Sequence, residues 1–177
     1  MRSDVPNPPA SGLLVQRLRA EHADDLERFC RRCEAFFELV TGERDAAVTA
    51  TSLWTSCPPG VALEHKFLFG ILRGTDLVAV VDLLEGFPSE SEWYVGLLLL
   101  LPEERNRQTG RAIWHAMEDW LRSRGGRSAR LLVQDQNARA AHFWRSLGFL
   151  DEVRVQQTLA GRNNECWQFV KRYDTPA

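Results

Sequence analysis

Residues 97–112 read LLLLLPEERNRQTGRA: an apolar strand, then a basic turn containing Asn, Gln and Gly, then the opening of an amphipathic helix. A junction of this kind holds anions. The first backbone N–H groups of a helix have no partner inside it, and the aligned peptide dipoles place partial positive charge at the same point. Arg105, Arg107 and Arg111 add fixed charge, Thr109 adds a hydroxyl donor, and Gly110 lets a ligand approach the backbone. The chemistry expected here is the gripping of phosphate oxygens.

Two common phosphate loops are absent, since the chain contains no G-x-x-x-x-G-K-[ST] and no G-x-G-x-x-G after an early strand. The turn instead resembles the pyrophosphate loop of the GNAT superfamily, the acyl-CoA-dependent N-acyltransferases, which reads [QR]-x-x-G-x-[GA] between the fourth strand and the third helix. Arg105 fills the first position and Gly110 the last, while Gln108 stands where the middle glycine is expected. Residues 137–149, NARAAHFWRSLGF, resemble the family's later N-x-x-A-x-x-[FLA]-[YW]-x-x-x-G-F at Asn137, Ala140, Phe143, Trp144, Gly148 and Phe149. Looser similarity runs from Leu13 to Tyr173.

The resemblance implies an acetyl-CoA-dependent N-acetyltransferase, with direct attack by a primary amine of a small molecule, peptide or protein in a ternary complex. Backbone groups of Leu99, Leu100 and Leu101 would bond the pantetheine amides, a strand-edge pairing applied to a cosubstrate. Arg105, Asn106, Arg107, Gln108, Thr109, Gly110 and Arg111 would form the pyrophosphate cradle. Asn137, Phe143 and Trp144 would line the other wall. Asn106 tolerates positive φ, and Gln108 is expected in right-handed helical geometry with its amide turned onto a phosphate.

Direct transfer needs a neutral amine roughly 3 Å from the thioester carbonyl and a donor for the developing oxyanion. The Leu100 backbone N–H is the candidate donor. Alkylamines have a pKa near ~10, so a base or a water chain must take a proton, yet residues 95–101 carry no titratable side chain. Glu85 and Tyr94 are the catalytic candidates, Asp82, Glu92 and Glu38 are further candidates for the base, and Asp82 is also a candidate contact for the acceptor. Helical spacing makes Phe36 and Phe37 core residues, whereas the resemblance makes them, with Glu38, acceptor contacts. Trp144 occupies a position where many relatives carry a proton-donating tyrosine. Its indole cannot act as an acid, and it is expected to pack along the cofactor arm. These departures support a second reading, a GNAT-fold binding or sensor module of weak or no activity; a longer-chain acyltransferase is a third.

The elements that must position these residues follow from apolar periodicity. A first strand is expected over residues 13–19, one helix or two over 24–40, and another over 45–56. Strands over 66–72 and 77–84 flank a hairpin signal at Gly74, and 92–101 form a fourth strand, apolar on both faces from Val95. A helix then runs from the cradle to Gly125, a strand covers 130–134, a helix 139–147, and a closing hairpin 153–172. This order gives an α+β single domain: a mixed, mostly antiparallel sheet of about seven strands with four helices, which the resemblance implies is splayed between strands four and five. Residues 1–12, with three prolines, are expected to be a flexible tail ahead of a domain over 13–177.

Composition bounds the rest. At 177 residues, 44% hydrophobic and 26% charged, the chain is ordinary for one globular domain. The net charge of −2 supplies no basic field for nucleic acid, and apolar runs such as residues 97–101 are far too short for a bilayer. The expected setting is cytoplasmic, without nucleic acid or membrane, and the resemblance leaves a homodimer open. Cys30 and Cys33 form a C-x-x-C inside a helical pattern, without the second ligand pair a metal site needs, so no metal is expected.

Overall fold

The computed structural model describes residues 4–8, 12–159 and 161–173. In chain order these form β1 (Leu13–Arg17), α1 (Ala23–Arg32), α2 (Glu34–Thr41), α3 (Ala46–Thr55), β2 (Lys66–Arg73), β3 (Asp76–Glu85), β4 (Glu92–Leu100), α4 (Thr109–Ser123), β5 (Ser128–Gln134), α5 (Ala138–Ser146), β6 (Leu150–Leu159) and β7 (Arg162–Arg172). One seven-stranded sheet runs in the order β1-β2-β3-β4-β5-β7-β6. Every pairing is antiparallel except β4 with β5, so the α+β, mixed-sheet architecture stands. Of the expected tail, residues 1–3 and 9–11 lie outside the described residues, while Val5 packs on the core and Pro6 is buried.

The helical run over 24–40 divides at Cys33, so five helices rather than four flank the sheet. Cys33 leaves helical geometry (φ −109°, ψ 14°), and Gly42 closes α2 in the left-handed region. Asp45 starts α3 by accepting from the amides of Ala47 and Val48 at 2.8 and 3.2 Å, which satisfies two N–H groups the helix leaves open.

Alternation along the strands gives the sheet two different faces. On one, Trp120 of α4 meets Phe67, Phe69 and Trp93 edge-on, with ring centroids 5.2–5.3 Å apart. Lys66 and Asp82, one residue along from Phe67 and Leu83, point to the opposite face, where the Lys66 ammonium reaches the Ser56 carbonyl just beyond α3. Among the described residues no helix is long and apolar enough to cross a membrane.

Candidate active site

The central feature is where β4 stops pairing with β5. Only Glu92, Trp93 and Tyr94 pair with Ser128, Ala129 and Arg130. Beyond them β5 pairs only with β7, and residues 97–100 of β4 only with β3. Leu101 donates its N–H to the Val78 carbonyl at 2.9 Å, and Leu99 stands opposite Val80. Bonding direction alternates along an antiparallel ladder. Leu99 and Leu101 therefore turn their backbone groups to β3, while Leu98 and Leu100 turn theirs into the gap. The Leu100 carbonyl accepts from Arg105 Nε at 3.1 Å. At the gap's inner end Asp82 opposes Leu97 and Leu83 opposes Val95, which leaves Gly96 as an exposed bulge.

At its outer end the gap meets the cradle. Asn106 and Gln108 both have positive φ (63° and 61°). Residues of alternating φ sign curl successive amides toward a common point and make an anion-binding concavity. The first bond into α4 is Ala112 N–H to Gln108 O, so the amides of Thr109, Gly110 and Arg111 have no acceptor among the described residues. The Thr109 hydroxyl turns inward to Glu104 (3.4 Å), which Arg73 grips through two bonds of 3.0 Å. This brace sits behind the cradle and holds the Glu104 carboxyl below its usual range, chiefly through Arg73. Asn106 accepts from Arg139 of α5 at 2.9 Å, and Arg111 binds the end of α5 at the Ser146 carbonyl and hydroxyl. Arg107 is exposed.

Gln108 departs from the right-handed geometry expected of it. The position favours glycine because of its backbone torsion, where a Cβ crowds the following carbonyl. Gln108→Gly is expected to stabilise the fold by about 1 kcal/mol, read as a higher denaturation midpoint. An unchanged midpoint would mean the loop carries no strain.

The acetyltransferase (GNAT) family pattern matches residues 26–149. The chain belongs to the GNAT acetyltransferase family. No curated protein matches it. Among solved structures, a Salmonella typhimurium acetyltransferase that modifies the N-terminal serine of ribosomal protein L7/L12 aligns with TM-score 0.76 and 13% identity, over 94% of this chain and 98% of that one. The Escherichia coli ribosomal-protein-S18-alanine N-acetyltransferase gives 0.70 and 16%, over 93% and 96%. The PaiA N-acetyltransferase of Thermoplasma acidophilum, solved with coenzyme A, gives 0.65 and 16%, over 92% and 100%. At such identities the likeness is one of fold.

Within this GNAT frame the side chains singled out from sequence fall into distinct places. Glu85 lies opposite Trp93, at the paired end of β4, with both carboxylate oxygens on Arg124 at 3.2 and 3.1 Å. Tyr94 packs edge-on against Phe87, and burial pushes its hydroxyl up to about 12, so it is a neutral donor at working pH. Phe37 is buried and Phe36 packs beside it at 5.3 Å. Glu38 pairs with Arg44 and borders a cleft of about 760 Å³ shared with Thr41, Gly42 and Arg162. Asn137 caps α5 by accepting the Ala140 amide at 3.1 Å. Phe143 lies under the cradle, about 3.4 Å from where a Cβ on Gly110 would stand. Trp144 is buried in an aromatic cluster with Trp114, Phe143 and Phe149, centroids 5.0–5.1 Å apart.

Several residues went unread from the sequence. Lys66 is buried and reaches Asp82 Oδ2 at 2.7 Å. An aspartate inside the apolar run LVAVVDLL demands a partner, and that was its only signal. Gly96 had a clearer one, since an isolated glycine in a strand pattern marks a bulge. The Cys30 and Cys33 thiols are pushed up to about 12 and about 11, chiefly by burial, which disfavours a reactive thiolate at neutral pH.

Proposed function

We propose that this protein is an acetyl-CoA-dependent N-acetyltransferase acting on a primary amine, of a small molecule or of a peptide or protein, in the cytoplasm. The observation that carries the reading is continuity: a strand edge free at Leu98 and Leu100 runs directly into a cradle of three open amides. The cradle residues take the pyrophosphate, with Arg105 exchanging the Leu100 carbonyl for a phosphate oxygen. Leu98 and Leu100 take the arm as a missing strand. Acetyl-CoA supplies a thioester whose acyl carbon accepts the amine.

From Leu100 to Gly96 is four strand residues, about 13 Å at about 3.3 Å each, within the reach of an extended pantetheine arm. A thioester carbonyl at that depth would lie nearer the Leu98 N–H than the Leu100 N–H, so Leu98 would donate to the oxyanion and Leu100 to the arm. The open cleft between α2 and the start of β7 has room for a peptide end as well as for a small amine. Two structural neighbours named for ribosomal-protein acceptors, S18 alanine and the N-terminal serine of L7/L12, support including peptide acceptors.

Tryptophan at position 144 supports the alternative of a binding module, because an indole cannot act as an acid toward the leaving sulfur. One experiment separates the two. Acetyl-CoA at a hundred times its Kd is expected to stabilise the fold by about 2.7 kcal/mol and to release thiol when primary amines are added. A raised Tm without thiol release from any amine would favour the module, and no rise at millimolar ligand would sink both.

A further inference from the structure

We infer that Asp82 is the group that takes the proton from the acceptor ammonium, and that Lys66 is the residue that positions it; this rests on the transfer reading above. Asp82 is buried near the middle of β3, with Oδ2 on the Lys66 ammonium and Oδ1 without a hydrogen-bond partner. A buried carboxylate oxygen left unpaired is costly; Glu85 and Glu104 each engage both oxygens on an arginine, and Glu118 Oε1, also without a hydrogen bond, has the Lys171 ammonium beside it. The unpaired oxygen belongs to the side chain beside the bulge. A Cβ on Gly96 would stand 2.8 Å from Asp82 Oδ2, so the glycine leaves a bare, exposed strip of backbone over the carboxylate. That strip is where the gap between β4 and β5 begins, one turn of the pleat from the Leu98 amide.

The groups facing Asp82 are Lys66 from β2, Cys57 from the segment after α3, and Tyr94 from β4. Lys66 fixes Oδ2, the oxygen that lies below Gly96, and Oδ1 has no hydrogen-bond partner. Burial raises the carboxyl against the opposing pull of Lys66, and a stronger base is better matched to an alkylammonium. The ammonium gives one proton to the Asp82 carboxylate, and the freed nitrogen pair forms the C–N bond at the thioester carbon while the carbonyl pair moves to oxygen. The carbonyl then re-forms and the C–S bond breaks with its pair on sulfur. Sulfur takes the second nitrogen proton, and Asp82 returns its proton to solvent. Ammonium and thioester become amide, thiol and one released proton.

Asp82→Asn keeps the shape of the side chain, so Tm and the acetyl-CoA shift are measured first on it and on the wild type. With a primary alkylamine at pH 7, kcat/KM is expected to fall roughly a hundred- to ten-thousand-fold. The variant's rate should then climb about tenfold per pH unit toward the amine's own pKa. With 2,2,2-trifluoroethylamine, an amine already neutral at pH 7, the loss should stay within about threefold, since no base is needed. Lys66→Met should move the acidic limb of the alkylamine profile to higher pH, because the carboxylate loses its counter-charge. Equal losses for both amines, or an alkylamine rate within about threefold of wild type, overturn the assignment while the acetyl-CoA shift persists. A wild type with neither shift nor thiol release fails at the transfer reading instead and takes this one with it.

Discussion

Arg105→Glu should erase the rise in Tm that acetyl-CoA gives the wild-type protein. Arg105 is half-buried where the gap meets the cradle, and its Nε already donates to a backbone carbonyl there, so its charge stands beside the three open amides. Charge-assisted bonds to phosphate are about twice as strong as neutral ones. Reversal loses that donor and adds a repulsive carboxylate next to Glu103 and Glu104. At a hundred times Kd the wild type should gain about 2.7 kcal/mol, which for a domain of this size is roughly 5–10 °C. The variant should gain less than about 1 °C at the same concentration. Arg107→Glu, at an exposed cradle residue, is the comparison and should weaken the shift without erasing it. An Arg105→Glu protein that kept the full shift would place the ligand elsewhere.

Trp120→Ala should carry the largest cost in stability. The ring is met edge-on by Phe67, Phe69 and Trp93 and covered by the Arg124 guanidinium at 5.0 Å. Its loss leaves a cavity between α4 and β2–β4 that the three aromatic neighbours cannot collapse to fill. Truncations of this kind cost about 3–5 kcal/mol, or roughly 6–20 °C in Tm for this length. The midpoint of urea unfolding should fall with its slope unchanged. A loss below about 1 kcal/mol would mean that other contacts, not this cluster, seat α4 and with it the cradle.

What could be read from sequence was what is local. The cradle is contiguous, so Arg105 to Arg111 declared themselves by residue type, and Asn106 in left-handed geometry follows from asparagine's tolerance for it. Gln108 carries no such signal, and its torsion is imposed by the turn around it. The gap beside β4 depends on where two strands 36 residues apart stop pairing, which no window of sequence contains; only the likeness to a family suggested it. Partnerships across the fold were equally hidden. Glu85 finds Arg124 and Asp82 finds Lys66 through strand register and helix placement. The indole of Trp144 turns into the core, where it meets Trp114 of α4 edge-on across the fold.

The open edge of β4 also bears on how this chain avoids sticking to itself. A row of unclaimed backbone donors normally recruits a strand from a neighbouring molecule, and edge strands defend themselves with lysine, proline or twist. β4 has none of these over five consecutive leucines. It is protected by lying fourth of seven, with β3 on one flank and β5 on the other, so a folded neighbour has no sheet to lay beside it. A segment that would be adhesive at the rim is thereby tolerated in the interior, and a slender chain threaded lengthwise is the only visitor the arrangement admits.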